Sequence, residues 1–294
     1  MPTPQDRSTV RLHGHSVAYI DLPGPGTPLL LLHGVASSID TWDDIPQRLA
    51  AQGRRVIAVD LLGHGESGPG NGDYSLGANA ASARDLLDHL GVDRVHLAGH
   101  SLGGGVAMQF TYQFRDRVES LSLISSGGLG TQVNGALRAA SLPGSEVVMR
   151  LLVSERVVST LTRFEALRGA LSPERRTSGE PSTSDKLRSL QDPRRLEGFL
   201  ATLRSVVGPV GQRVSALDKL ESVDPAKVLI VWGEEDRVLP QAHGLAAHAL
   251  LPGSRLVLVP AAGHHPHTHA PDQVINALLE HISVVESRSG SLTV

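Results

Sequence analysis

The chain has 294 residues, a formal net charge of −3 and 40% hydrophobic residues, enough for one large α/β domain with an insertion, or for two domains, around a sizeable core. That charge gives no reason to expect nucleic acid or an anionic membrane as a partner. The chain has no cysteine, which excludes disulfides and thiolate chemistry and fits a reducing, cytoplasmic setting.

Met1 to Thr9 is polar and lacks the apolar stretch of a secretion signal, and no run of about 18 apolar residues predicts a membrane span. Thr9–Leu12 and Ser16–Ile20 flank His13-Gly14-His15 and read as a β-hairpin. Leu29 to Leu32 is four leucines in a row, a strand buried on both faces. Asp40 to Ala51 carries Trp42, Ile45 and Leu49 at helical spacing. Arg55 to Val59 is the next buried strand, ending at Asp60, and Leu76 to Leu90 reads as a helix with Gly91 as its C-cap. Arg94 to Ala98 is a short strand, Leu102 to Phe114 a helix, and Val118 to Ile124 a further strand. This alternation predicts a doubly wound, mostly parallel sheet.

The rhythm breaks after Ser126. Gly127 to about Ser215 has helical periodicity and no convincing strand. Leu151, Leu152, Val157 and Val158 suggest one helix, and Leu196, Phe199, Leu200 and Leu203 another. Leu171 to Asp185, rich in Ser, Thr, Pro and charge, reads as a mobile loop. Strands return at Val228–Trp232 and Leu256–Val259; Asp272–Ile282 is a closing helix, and Ser283–Val294 is expected to fray. The expected organisation is a first core segment at 1–127, a helical lid at 128–215 and a second core segment at 216–294.

The chemistry centres on Gly99-His100-Ser101-Leu102-Gly103, a G-x-S-x-G turn between a strand and a helix. Such a bend raises the Ser101 hydroxyl at the carboxyl end of the sheet and holds its backbone in strain; side chains at 99 and 103 would collide. A serine hydroxyl needs a base within hydrogen-bond reach and a third group to hold that base. Two later strands end in loops that supply both, Gly233-Glu234-Glu235-Asp236 and Ala261-Ala262-Gly263-His264. Glu234 and Glu235 compete with Asp236 as the acid, and His265 with His264 as the base.

Across roughly Val10 to Ile282 the chain resembles the α/β-hydrolase fold family. The resemblance rests on His33-Gly34, Asp60-Leu61-Leu62-Gly63-His64-Gly65-Glu66-Ser67, the turn at Ser101, Trp232 to Asp236, and Gly263-His264. It implies Ser101 as nucleophile, Asp236 as the residue orienting the base, and His264 as the base. A serine at this turn argues against the dehalogenases and epoxide hydrolases of the family, which use aspartate there. An oxyanion hole needs two backbone N–H groups: Leu102, after the nucleophile, is expected to give one and Val35, after His33-Gly34, the other. His33, His64 and His100 read as packing residues.

No cofactor is implied. His264, His265, His267 and His269 form a His-rich tract, but no Cys or carboxylate beside them completes a metal site, and Pro266 and Pro271 are expected to prevent helical spacing. Ser125-Ser126-Gly127-Gly128-Leu129-Gly130 is similar to the lid-entering segment of meta-cleavage-product hydrolases, which cut a C–C bond of acidic dienolates with the same triad. Those enzymes usually have Trp where this chain has His265, and a more glycine-rich loop than Val35-Ala36-Ser37-Ser38. Lid arginines such as Arg150, Arg156, Arg163, Arg188, Arg194 and Arg195 are candidates for a substrate carboxylate or for solvated helix faces. The expected function is a serine hydrolase of a small or medium carboxylic ester; the alternatives are a C–C hydrolase and a non-catalytic ligand-binding protein. The partner implied is a small-molecule substrate, with no nucleic acid and no membrane span; self-association is left open.

Overall fold

The computed structural model describes residues 7–68, 72–171, 182–216, 219 and 223–290. The chain opens with β1 (Arg7–Leu12) and β2 (His15–Leu22), an antiparallel hairpin whose turn residues His13 and Gly14 have φ of 48° and 89°. Two positive φ values give the turn a twist that matches the flanking strands. There follow β3 (Leu29–Leu32), α1 (Ile45–Ala51), β4 (Val56–Val59), α2 (Leu76–His89), β5 (Val95–His100), α3 (Leu102–Gln113) and β6 (Val118–Ile124). After an excursion of about a hundred residues come β9 and its successors, described below.

The expected helix over Asp40–Ala51 is divided. Ile39–Trp42 is a short 3-10 turn, Asp43 takes a φ of 47°, and α1 begins afresh with Pro46 in its first turn. Proline fits there because the first turn's N–H groups have no partner within the helix. Trp42, Ile45 and Leu49 are all buried, so the apolar spacing was sound although the backbone is broken.

The excursion holds α4 (Gly135–Ser141), α5 (Ser145–Leu152), α6 (Glu155–Leu171), α7 (Thr183–Ser189) and α8 (Pro193–Val206), then β7 (Val207–Gly208) and β8 (Gly211–Gln212). Several expectations are corrected here. The single helix expected around Leu151 to Val158 is two: α5 ends in a turn in which both the N–H and the hydroxyl of Ser154 donate to the Leu151 carbonyl, and α6 begins at Glu155. Two-residue strands pair antiparallel where no strand was expected. Of the expected loop Leu171–Asp185, residues 172–181 lie outside the described residues, and Thr183 to Asp185 open α7, whose cap Ser182 accepts from the Asp185 N–H. Met149 and Val153 pack with Leu190, Leu196, Phe199, Leu200 and Leu203, and this small core leans on Val35, Ala36, Val133 and Leu137.

The second part has β9 (Val228–Gly233), α9 (Ala242–Leu250), β10 (Arg255–Val259), α10 (Pro266–His269) and α11 (Pro271–Gly290). α11 runs past the expected end at Ile282. Val285 is buried, and Glu286 forms a two-pronged ion pair with Arg54 at 2.6 and 2.9 Å. Both prolines open helices, so the expectation that they would prevent helical geometry after His265 is also corrected. Among the described residues no helix is long and apolar enough to cross a membrane.

The eight strands run in the order β1-β2-β4-β3-β5-β6-β9-β10; β1–β2 and β2–β4 are antiparallel and the remaining pairs parallel. The leucine run of β3 shows how the sheet is filled. Leu30 and Leu32 join the core under α2 and α3, while Leu29 and Leu31 join the core under α1 and α11. Successive side chains leave a strand on opposite faces, so a strand covered on both sides is apolar throughout.

A layer of buried histidines lies beneath the carboxyl ends of the strands. His33 accepts the Leu61 N–H at Nε2 (3.0 Å) and donates Nδ1–H to the Gly34 carbonyl (2.7 Å). His64 donates to the Leu62 carbonyl (3.0 Å), and its ring lies 5.6 Å from that of His33. Asp60, at the end of β4, accepts from the Ile39 and Glu66 N–H groups, both at 2.7 Å, and so ties two loops together.

Burial disfavours the imidazolium. It pushes His33, His64 and His96 down to about 4 and His100 well below its ordinary value. These rings stay neutral in the folded chain where the unfolded chain, near the ordinary value of 6.5, takes protons. Below that value the unfolded state binds more protons, so stability falls as pH falls. Burial pushes Asp60 up to about 6 from 3.8, which acts with the opposite sign between those values, one group against six histidines, since burial lowers His243 and His281 as well. The expected outcome is a melting temperature lower at pH 5 than at pH 7 by on the order of ten degrees. Thermal melts across that range check this, and His33→Gln and His64→Gln are expected to flatten the dependence.

Candidate active site

β5 ends at His100 and α3 starts at Leu102, so Ser101 alone makes the turn. Its φ of 53° and ψ of −115° lie where residues with a side chain are rarely found. The two glycines around it permit this. A Cβ on Gly99 would meet the Gly103 carbonyl oxygen at 2.2 Å, and one on Gly103 the Leu32 carbonyl oxygen at 2.1 Å. The strand, the helix and β3 thus close in to a distance that only hydrogens at 99 and 103 allow.

The loop after β9 brings Asp236, and the loop after β10 brings His264. His264 Nε2 is 2.9 Å from Ser101 Oγ, and His264 Nδ1 is 2.8 Å from Asp236 Oδ2. The carboxylate accepts from Nδ1–H, which leaves Nε2 as acceptor of the serine hydroxyl. The other carboxylate oxygen accepts from the Val238 and Leu239 N–H groups at 2.8 and 2.9 Å, so Asp236 is held on both sides. Asp236 is buried while Glu234 and Glu235 are exposed, which separates the three acids of that loop. All three members of the line are buried.

His264 is gripped a second time. His100 Nε2–H donates to the His264 carbonyl at 2.8 Å, and its ring sits 5.0 Å from that of His264. Sequence reasoning took His100 for packing. Its partner is a backbone carbonyl 164 positions away, and no residue pattern signals such a bond. The rings of His265 and His267 also lie against that of His100, tilted by 44° and 59°, at separations of 4.8 and 4.5 Å. Among the described residues no group of three or more His, Cys, Asp or Glu side chains is arranged to hold a metal ion.

A cavity of about 50 Å3 opens beside Ser101. Val35 and Leu102 line it with Ser101, and Leu137, Leu203, Val206 and Val238 form much of its wall. Leu102 opens α3, so its amide belongs to the first turn, whose N–H groups have no partner within the helix. Among the described residues no charged side chain lines the cavity, and the one amide side chain there, Gln212, is spent. Gln212 accepts from the Gly128 N–H at 2.7 Å and donates to the Gly130 and Gln132 carbonyls at 2.7 and 3.1 Å. The arginines considered for a substrate carboxylate lie elsewhere: Arg150, Arg156 and Arg163 are exposed, and Arg188 pairs with Asp185.

Known proteins share this architecture. A family model described as alpha/beta hydrolase fold matches residues 27–271. The chain is 39% identical over 286 residues to an uncharacterized protein of Mycobacterium tuberculosis, covering 97% of this chain and 82% of that one. It is 32% identical to the dihydrolipoyllysine-residue acetyltransferase component of the acetoin cleaving system of Pseudomonas putida, over 95% of this chain and 69% of that one. It is 26% identical to a 2-hydroxy-6-oxo-6-phenylhexa-2,4-dienoate hydrolase of Burkholderia cepacia, over 82% of each. Among solved structures, a thermophilic esterase of Thermogutta terrifontis, studied with malate bound, superposes with a TM-score of 0.68 at 27% identity, over 95% of this chain and 98% of that one. By the extent of the family match and the shared mixed sheet, the chain belongs to the alpha/beta hydrolase fold family.

Proposed function

We propose that this chain is a serine hydrolase of uncharged carboxylic esters, working through an acyl-enzyme on Ser101. The observation that carries the reading is the hydrogen-bonded line from Asp236 through His264 to Ser101 at 2.8 and 2.9 Å. Ser101 Oγ attacks the ester carbonyl carbon as its proton passes to His264 Nε2. The oxyanion is held by the amides of Val35 and Leu102, and Asp236 stabilises the imidazolium. The C–O bond to the alcohol breaks, and the alcohol leaves with the proton from His264. Water then gives a proton to His264 and its oxygen attacks the acyl carbon. The acid departs, and Ser101 regains its hydrogen.

The apolar cavity beside Ser101 favours an ester with a short, uncharged acyl group, since its present space holds only a few water molecules. The lid proposed at 128–215 supplies part of its wall through Val133, Leu137, Leu203 and Val206. The second reading, hydrolysis of a C–C bond in a dienoate, draws support from the Burkholderia cepacia relative. Against it, a dienoate carries a carboxylate, and a cavity without a cation leaves that charge uncompensated. The third reading, ligand binding without turnover, leaves the buried, aligned hydroxyl and imidazole without a use.

The deciding experiment is labelling with a fluorophosphonate, followed by a panel of acetyl, butyryl and dodecanoyl esters and a ring-fission dienolate. Labelling of Ser101 with preference for the short esters is the expected result; turnover of the dienolate alone would overturn the ester reading. Ser101→Ala is expected to fold normally and to lose on the order of a thousandfold or more in turnover. His264→Ala is expected to match that loss and His265→Ala to fall well short of it, as steady-state rates with the best ester will show.

His100 acts as a positioning residue through its bond to the His264 carbonyl. His100→Leu, which removes the donor, is expected to lower kcat by on the order of tenfold with KM little changed, and His100→Gln, which keeps a donor, to restore most of it. Equal losses in both variants, or a loss confined to melting temperature, would assign His100 to packing.

A further inference from the structure

The net charge of −3 conceals a strong segregation. Residues 128–215 carry 13 of the 27 Lys and Arg but 8 of the 30 Asp and Glu, a net of +5, so the rest of the chain stands at −8. The same stretch carries the largest exposed apolar side chains of the molecule. On α5, Val147, Val148, Leu151 and Leu152 are 66, 57, 65 and 40% exposed, and on α6, Phe164 and Leu167 are 60 and 61% exposed.

These positions are ordered by helix geometry. On α5 the pairs Val147/Leu151 and Val148/Leu152 are four residues apart and share the outer face, while Met149 and Val153 point into the small core. On α6 the exposed series Arg156, Thr160, Arg163, Phe164 and Leu167 follows the same spacing. Arg150, Arg156 and Arg163 have no ion pair among the described residues, while of the acids nearby one is ion-paired and two accept from neutral groups. Glu146 pairs with Arg204 at 2.6 Å, Glu155 accepts from Gln191 at 3.0 Å, and Glu165 accepts from the Ser184 hydroxyl at 2.6 Å. The face is therefore apolar with Arg150, Arg156 and Arg163 exposed at its border.

We propose that the outer face of α5 and α6 docks onto an anionic lipid surface. Apolar side chains held beside arginines on a helix fit the boundary between headgroups and acyl chains, where both kinds of group find partners. Large apolar side chains exposed together on two successive helices mark an interaction site. A second copy of the chain is a poor occupant, because two such faces would set Arg150, Arg156 and Arg163 against their own duplicates. The negative remainder of the chain turns the positive face toward an anionic surface and away from it the body of the molecule. The inner side of α5 packs in the same small core as Leu137, Leu203 and Val206, which wall the cavity at Ser101. Docking thus brings amphiphilic esters dissolved in the surface close to the site, with no need to cleave the membrane lipid itself.

Flotation of the full chain with vesicles tests this. One set is phosphatidylcholine alone, and in the other about a third is phosphatidylglycerol. The expected result is on the order of tenfold more protein on the anionic vesicles, an excess removed by high salt. Val148→Ser/Leu151→Ser/Leu152→Ser and, separately, Arg150→Gln/Arg156→Gln/Arg163→Gln are each expected to abolish that excess. Both sets are expected to leave turnover of a water-soluble ester and the melting temperature unchanged. Equal recovery on the two vesicle types, or anionic binding that survives both sets, would overturn the proposal. So would a dimer in sedimentation velocity that the serine variant dissociates, with no flotation of the parent chain. The readout is independent of Ser101 chemistry, since Ser101→Ala protein is expected to float equally well.

Discussion

The backbone at Ser101 is the constraint around which the molecule is arranged. One residue with a side chain is held at a positive φ because the strand before it and the helix after it are both locked by packing. The helix can start at once only if Gly103 lies against the Leu32 carbonyl and Gly99 against Gly103. Any Cβ at either position would drive α3 away from β3 and lower the hydroxyl into the sheet. The strain at Ser101 is therefore borne by the burial of β3, β5 and α3, whose side chains fill both cores. A rigid hydroxyl at the edge of the cavity results, fixed before any substrate arrives.

A second tier of contacts fastens the loops that converge on that hydroxyl. Asp60 bonds amides from the loops after β3 and β4, and His33 links the same two loops through Leu61. His100 reaches from the elbow to the carbonyl of His264, so the loop after β10 is bound at its side chain and at its backbone. Asp236 is bound by two amides of its own loop and by the imidazole. These groups are buried, so each bond is shielded from water, and each polar group that loses its partner is costly. The neutral state of the deep histidines follows from the same burial.

What the sequence made legible follows from how local the determining forces are. Strands buried on both faces announce themselves as unbroken apolar runs, as Leu29–Leu32 and Val228–Trp232 do, and their order in the chain gives the sheet class. The candidate site at Ser101, Asp236 and His264 was legible because each follows a strand at its carboxyl end, and the fold sets the three within hydrogen-bond distance. The length of α11 was not legible. Its last turns are polar in sequence and are held by Glu286 against Arg54, 232 positions away. Nor was the break between α5 and α6, where Ser154 closes α5 on the Leu151 carbonyl and no proline or glycine marks the stop. The work of His100 was hidden for the same reason as Glu286, since both act on distant partners. The apolar spacing at Leu151, Leu152 and Val158 signalled a helix and left its orientation open, because periodicity reports that a helix has two faces and not which of them meets the core: Leu151 and Leu152 face outward and Val158 is buried.

The stretch between β6 and β9 departs from and returns to strands that are direct neighbours, joined by the register Leu121↔Val228 through Ile124↔Val231. The ladder between those strands takes no account of how many residues intervene or what they are. The span is nonetheless built into the fold: Leu129 and Ala216 lie in the core beneath α2 and α3, and Val133, Leu137, Leu203 and Val206 wall the cavity at Ser101. Strand pairing and cavity shape are thus carried by different stretches of one chain that meet in a shared core.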